Sequence, residues 1–250
     1  MPPFAIASDV DHTLRTVWTT VKVFLDDRQE IANPLVSAPM STTERVDRVS
    51  RRQVDKFEER RRELADAALQ TLSELGYART SLREIAQNSA FSHGVLHYYF
   101  RDKVELITYC VRQYKSVCAQ RYDKIVATAD NTDELANGFL KALLATLTDD
   151  ATMHRLWYDL RSQALFEPSF REDVLEIDAM LERMIWRVLS RYAELAGSPI
   201  QATSPAAYAM FDGLFQQALL RHLAGHEDAG TNLRTSVLGL VATLVPNQHK

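Results

Sequence analysis

Helix breakers are scarce in this chain: eight glycines and eight prolines among 250 residues. Folds made of many short strands need turns, and turns draw on those two residue types. From Glu44 onward the apolar residues recur instead at helical spacing. Phe57, Leu64, Ala68, Leu72 and Leu75 fall on one face of a 3.6-residue repeat, and Gly76 follows as a stop. The expected fold is therefore all-α.

Capping residues mark where the helices begin. Thr80-Ser81 precedes a helix over 82–88, and Glu84, three residues after Ser81, completes a capping box. Ser92 opens a second short helix over 93–100, and Asp102 opens a third expected to run to about Thr128. Further helices are expected over 132–148, 151–166, 168–195, 205–224 and 229–245, with Pro168 and Pro205 suited to first-turn positions. Cys110 and Cys118 are eight residues apart on such a helix. The rise of about 12 Å between them exceeds disulfide reach, so they read as packing residues.

Residues 1–39 lack sustained periodicity and carry Pro2, Pro3, Pro34 and Pro39. Met40 then opens a stretch that reads like an ordinary protein start, so residues 1–43 are expected to be an N-terminal extension, either a disordered arm or a misassigned start. No apolar run is long enough to cross a membrane, and no leader pattern opens the chain; a cytoplasmic protein is expected.

The net charge of −4 argues, taken whole, against a polyanion binder. Its distribution argues otherwise. Residues 1–39 are net −2, residues 41–106 net +1 and residues 107–250 net −3, with eight bases between Arg45 and Arg62. Such a basic stretch either follows a phosphate backbone or minor groove or is a solvated helix face with pairs such as Glu58–Arg62.

The informative stretch is 81–100. Two short helices separated by a few residues, with small Ala86 at the approach, Ile85, Phe91 and Leu96 turned inward and a polar second helix, fit a helix-turn-helix. A helix N-terminus offers free N–H groups to phosphate while exposed side chains reach base edges in the major groove.

The run Gly76-Tyr77-Ala78-Arg79-Thr80-Ser81-Leu82-Arg83-Glu84-Ile85-Ala86, followed by Ser92-His93-Gly94-Val95-Leu96-His97-Tyr98-Tyr99-Phe100-Arg101-Asp102-Lys103, resembles the DNA-binding domain of TetR-type transcriptional repressors. The resemblance covers residues 54–106. It implies a DNA-binding domain over 44–102, a helical ligand-binding and dimerisation domain over 103–250, and a homodimer on an operator of double-stranded DNA. It puts Ser81, Tyr98, Tyr99 and Lys103 where family members touch phosphate or groove wall, and Arg83 and His93 at base-reading positions. His97 stands where Tyr is usual, Ala90 where the turn usually has Gly, and Thr80 and Ser92 complete the expected DNA-binding set. Tyr99 and Phe100 also suit a core.

The same resemblance implies a pocket for a partly apolar or aromatic small-molecule effector, for which Phe139, Trp157, Tyr158, Arg161, Met184 and Phe211 are the candidate lining. The run His154-Arg155-Leu156-Trp157-Tyr158-Asp159-Leu160 with Phe170-Arg171 resembles the choline-responsive subgroup over a short stretch that does not name the ligand. Met210, Leu214, Phe215, Leu233, Val237, Leu240, Val241 and Leu244, on broadly apolar terminal helices, are the expected dimer interface. One alternative is a DNA-binding regulator without a small-molecule ligand. A helical enzyme is disfavoured, since neither a Glu-x-x-His pair nor a phosphate loop nor a Gly-x-Ser-x-Gly elbow occurs. No cofactor or metal is expected, and His222 and His226 read as surface residues.

Overall fold

The structure is a computed structural model and describes residues 42–246. The expected extension over 1–43 lies outside the described residues except for its last two positions. Every element among the described residues is helical: α1 (Thr42–Arg79), α2 (Leu82–Gln87), α3 (His93–Tyr99), α4 (Lys103–Gln120), α5 (Asp123–Thr128), α6 (Thr132–Asp149), α7 (Ala151–Gln163), a 3-10 turn (Pro168–Phe170), α8 (Arg171–Ala196), α9 (Ser204–Leu223) and α10 (Ala229–Leu244).

The chain divides into two units between Glu63 and Leu64. In the first, Arg61 pairs with Glu58 at 3.6 Å and Arg60 pairs with Glu63, so Glu58 meets Arg61 rather than the expected Arg62. Phe57, expected on the apolar face, is exposed. The second unit holds everything from Leu64. Leu64, Ala68 and Leu72 are fully buried there, as their spacing predicts. The expected domain boundary between 102 and 103 falls inside this unit.

The predicted caps form. Ser81 Oγ accepts from Glu84 N at 3.2 Å while Glu84 Oε2 accepts from Ser81 N at 2.7 Å. Ser92 and Asp102 cap α3 and α4 through the side-chain half of that arrangement, and Asn131, not expected as a cap, does the same for α6. Each supplies an acceptor to an N–H that a helix start leaves unbonded.

The helix expected to run from Asp102 to about Thr128 breaks at Arg121 and Tyr122. The break turns Tyr122 inward, where its ring lies 5.2 Å from Phe139, and frees the Arg121 guanidinium to reach Thr146 and Asp150, each at 2.9 Å. The helix expected over 151–166 stops at Gln163, and Leu165 and Phe166 are exposed beyond it. Helices α4, α6, α7, α8, α9 and α10 pack on one another around a core that includes Leu135, Phe139, Trp157, Leu160, Ile177 and Leu189. Cys110 and Cys118 are both buried free thiols, and the Cys110 thiol bonds the carbonyl of Ala65 at 3.4 Å.

Candidate nucleic-acid interface

Helices α2 and α3 pack through Leu82, Ile85 and Leu96, all buried, with Phe100 buried just after α3. That leaves one face of each helix in solvent. Ser81 and Arg83 on the first, and Ser92, His93, His97 and Tyr98 on the second, are exposed, while Tyr99 is half-buried. The His93 and His97 rings meet edge to face at 4.4 Å, as do Tyr98 and Tyr99 at 4.9 Å. No acidic residue occurs between His93 and Tyr99. A polyanion approaching α3 therefore meets rings, the positive end of a helix capped by Ser92 and no acid on that helix.

Two expected contact residues face elsewhere. Thr80 is 2% exposed and donates its hydroxyl to the Gly76 carbonyl at 2.8 Å, so it shapes the turn before α2 rather than reaching outward. Lys103 is half-buried, donates to the Tyr77 carbonyl at 3.1 Å and lies 4.0 Å from the centre of the Tyr77 ring. Burial lowers its pKa, against the opposing pull of Glu84 and Asp159.

The turn they hold is the junction sequence reasoning missed. Gly76 interrupts the helical run with φ 74° and ψ 174°, a conformation reserved for glycine. Asp159 of α7 accepts from the Tyr77 N–H at 2.9 Å, and the Tyr77 ring meets Phe170 edge to face at 5.0 Å. The Gly-Tyr pair carried the resemblance, but no spacing in the sequence points from it to residues more than 80 positions away.

Inside the helical bundle the six candidate lining residues do not converge. Phe139 and Phe211, with rings 6.0 Å apart, line a small apolar cavity of about 20 Å³ together with residues of α6, α8 and α10, space for roughly one water. Trp157, Tyr158, Arg161 and Met184 do not line it. Tyr158 donates to Asp212 Oδ1 at 3.0 Å, and Arg161 pairs with Asp212 and with Asp178 at 3.3 Å. Tyr208 donates to Asp178 at 2.6 Å, and burial raises the pKa of Asp178. Polar residues that the sequence reading did not select thus fill the space between α7, α8 and α9.

The expected dimer residues also need correction. Phe215, Leu233, Val237, Val241 and Leu244 are buried within the single chain, where α9 and α10 pack on each other and on α6, and Leu214 and Leu240 are half-buried. Of the eight, Met210 alone is exposed. The apolar residues these helices leave in solvent are Met210, Leu220, Leu223 and Leu238. Periodicity marked the apolar faces but not which side the chain itself covers.

Residues 64–110 match the profile of bacterial regulatory proteins of the tetR family, and residues 133–242 match the C-terminal part of BetI-type transcriptional repressors. The chain belongs to the TetR family. It is a transcriptional regulator with a DNA-binding helix-turn-helix. The HTH-type transcriptional regulator BetI of Burkholderia thailandensis is 28% identical over 170 residues, 64% of this chain and 82% of that protein. The BetI of Burkholderia mallei is 30% identical over 117 residues, 45% of this chain and 58% of that protein. Among solved structures, a TetR transcription regulator from Haloarcula marismortui superimposes with a TM-score of 0.63 at 16% identity, covering 75% of this chain and 99% of that one. A transcriptional regulator from Saccharomonospora viridis, solved with choline, gives 0.60 at 16% identity, covering 75% and 98%. At such identities the solved structures bear on the fold alone.

Proposed function

We propose that this TetR-family chain acts as a homodimeric repressor that reads a palindromic operator and is released from it by a small-molecule effector. The observation that carries the DNA-reading part is α3: capped by Ser92, free of acids, and presenting His93, His97 and Tyr98 to solvent. Arg83 and His93 read bases; Ser81, Ser92, Tyr98 and Tyr99 meet phosphate and groove wall. Lys103 and Thr80 serve by fixing the turn that aims α2. Residues 44–102 are the reading part and residues 103–250 the ligand and dimerisation part, in a cytoplasmic protein that resides on DNA when bound.

The dimer seam draws on the apolar residues that α9 and α10 leave exposed, Met210, Leu220, Leu223 and Leu238. Beside it Gly213 and Gly239 face open space, which lets a second backbone approach closely. A twofold seam there would set two copies of α3 about 34–36 Å apart, one duplex turn. Effector coupling of about 1–3 kcal/mol would change operator affinity some 5–150-fold. Among the described residues no helix is long and apolar enough to cross a membrane.

The close packing around Phe139 and Phe211 favours a second reading, a regulator with no small-molecule ligand. Selection of bound DNA from a random pool, repeated with a metabolite library, decides. Recovery of a palindrome that a compound releases supports the first reading, and a palindrome that no compound releases supports the second. Recovery of no common sequence removes both.

A further inference from the structure

Lys115 is a lysine at a core position. On α4 it shares a face with Val111 and Cys118, and it is 1% exposed. Its ammonium lies 2.9 Å from His154 Nδ1, 5.5 Å from the centre of the Trp157 ring and 5.6 Å from that of Tyr114. Among the described residues it forms no salt bridge. The carboxylates whose charge reaches it are each engaged elsewhere: Asp150 by Arg121 at 2.9 Å, Asp178 and Asp212 by Arg161. A buried ammonium lacking a bonded counter-ion is strongly disfavoured in a protein interior.

Three more buried polar groups beside it have no hydrogen-bond partner among the described residues: His154 Nε2, Trp157 Nε1 and the Tyr114 hydroxyl. With Lys115 donating to Nδ1, the His154 ring is neutral and carries its hydrogen on Nε2. Neither that atom nor Trp157 Nε1 has a hydrogen-bond partner among the described residues, and His154 and Trp157 are 8% and 1% exposed. Burial and the adjacent Lys115 hold the His154 pKa well below its ordinary value, which keeps it neutral. Buried polar groups are nearly always bonded, so orphaned donors gathered around one buried cation call for an acceptor from outside the chain. The remaining wall is aromatic: Phe215 lies 4.7 Å from His154, and Tyr114 lies 5.8 Å from it.

The geometry points to an effector site at Lys115, His154 and Trp157 for an organic carboxylate with an apolar or aromatic body. The carboxylate accepts from Lys115 Nζ and Trp157 Nε1, while His154 Nδ1 keeps its place as the other acceptor for the ammonium, and the body lies against Phe215 and Tyr114. The assignment rests on the ligand-responsive reading above and names its ligand class. It also sets the site apart from one for a quaternary ammonium, which would meet Lys115 charge against charge. The cluster is closed over in this structure, so entry requires side chains to move, and movement of Phe215 acts on α9, the helix that carries Met210 and Leu220.

The test uses the purified full chain, without DNA, against benzoate, phenylacetate, 3-phenylpropionate and octanoate, with phenylacetamide and choline as neutral and cationic comparators. Binding of at least one carboxylate is expected to raise the melting temperature by about 2–4 °C or more at saturation, with little effect from phenylacetamide or choline. Lys115→Met is expected to lose that response while melting no lower than the parent, which separates a binding role from a structural one. Calorimetry at about pH 9 in two buffers of different ionisation enthalpy should find proton uptake approaching about one per site, because an anion raises the pKa of Lys115. Equal binding of the amide or of choline, retention of carboxylate binding by Lys115→Met, or no response to any of the four acids overturns the assignment. Operator release is scored separately. Carboxylate binding without release keeps this site and removes the release mechanism, whereas release by another class of compound, with no carboxylate bound, does the reverse.

Discussion

Asp159 Oδ2 accepts the backbone N–H of Tyr77 at 2.9 Å, tying the middle of α7 to the turn that precedes the helix-turn-helix. Trp157 and Tyr158, its neighbours on α7, face the polar interior of the bundle, so displacement of this helix by a ligand would reach the reading helices through Asp159. Asp159→Ala should leave a part-buried donor unbonded and cost about 1–3 kcal/mol, while Asp159→Asn, which keeps an acceptor, should cost less. Thermal melting checks both. In operator titrations Asp159→Ala should also respond less to effector than the parent; an unchanged response would show that coupling takes another route.

Gly76→Ala places a side chain at φ 74°, ψ 174°, where the new Cβ would stand 3.5 Å from Asp159 Oδ2. The contact is ordinary, but the backbone is not. A loss of about 1–3 kcal/mol is expected, seen as a melting shift of about 2–4 °C per kcal/mol for a chain of this size. An unshifted melt would mean that the turn relaxes at little cost.

Arg83→Ala and His93→Ala should reduce discrimination between selected operator and random DNA by about 1–3 kcal/mol each. Lys103→Ala should instead weaken both, together with thermal stability, because its ammonium holds the Tyr77 carbonyl. Binding titrations on the two DNAs, read beside a melting curve, separate these outcomes.

Burial lowers the pKa of Lys115 to about 8 from its ordinary 10.5. Between these values the unfolded chain holds a proton on this residue that the folded chain lacks, so stability rises with pH. The contribution is complete above about pH 10.5 and lost as pH falls through about 8. Relative to Lys115→Met, the parent should gain about 3 kcal/mol across that window. Chemical unfolding of both proteins at pH 7.5, 9 and 10.5 measures it, and parallel curves would refute it.

Leu220→Glu should dissociate the proposed dimer with little cost to the folded subunit, since Leu220 is 69% exposed in the single chain. Sedimentation reports the first effect and melting at high dilution the second. A dimer that survives the change would place the seam elsewhere.

The caps at Ser81, Ser92 and Asp102 were legible in the sequence because each bonds an N–H three residues away. The helix-turn-helix was legible for the same reason. What escaped depends on pairs distant in sequence. Asp159 grips Tyr77, Arg121 turns the chain to reach Asp150, and Arg161 gathers Asp178 and Asp212. Periodicity shows that a face is apolar without showing what covers it, which is why Val237 and Leu244 read as seam and prove to be core. Lys115 did leave a trace, a lysine in register with Val111 and Cys118 on the apolar face of α4.

The grip on the Gly76–Tyr77 turn bears on how a regulator of this kind could be re-engineered. A chimaera joined at residue 102, importing the reading helices alone, would leave Tyr77 without the Asp159 carboxylate and the Phe170 ring. It would also replace Lys103 and the Cys110 thiol that meets Ala65. The DNA-reading head is thus not a detachable cassette, and a transplant that keeps its response has to bring matching partners from α4, α7 and the Phe170 turn with it.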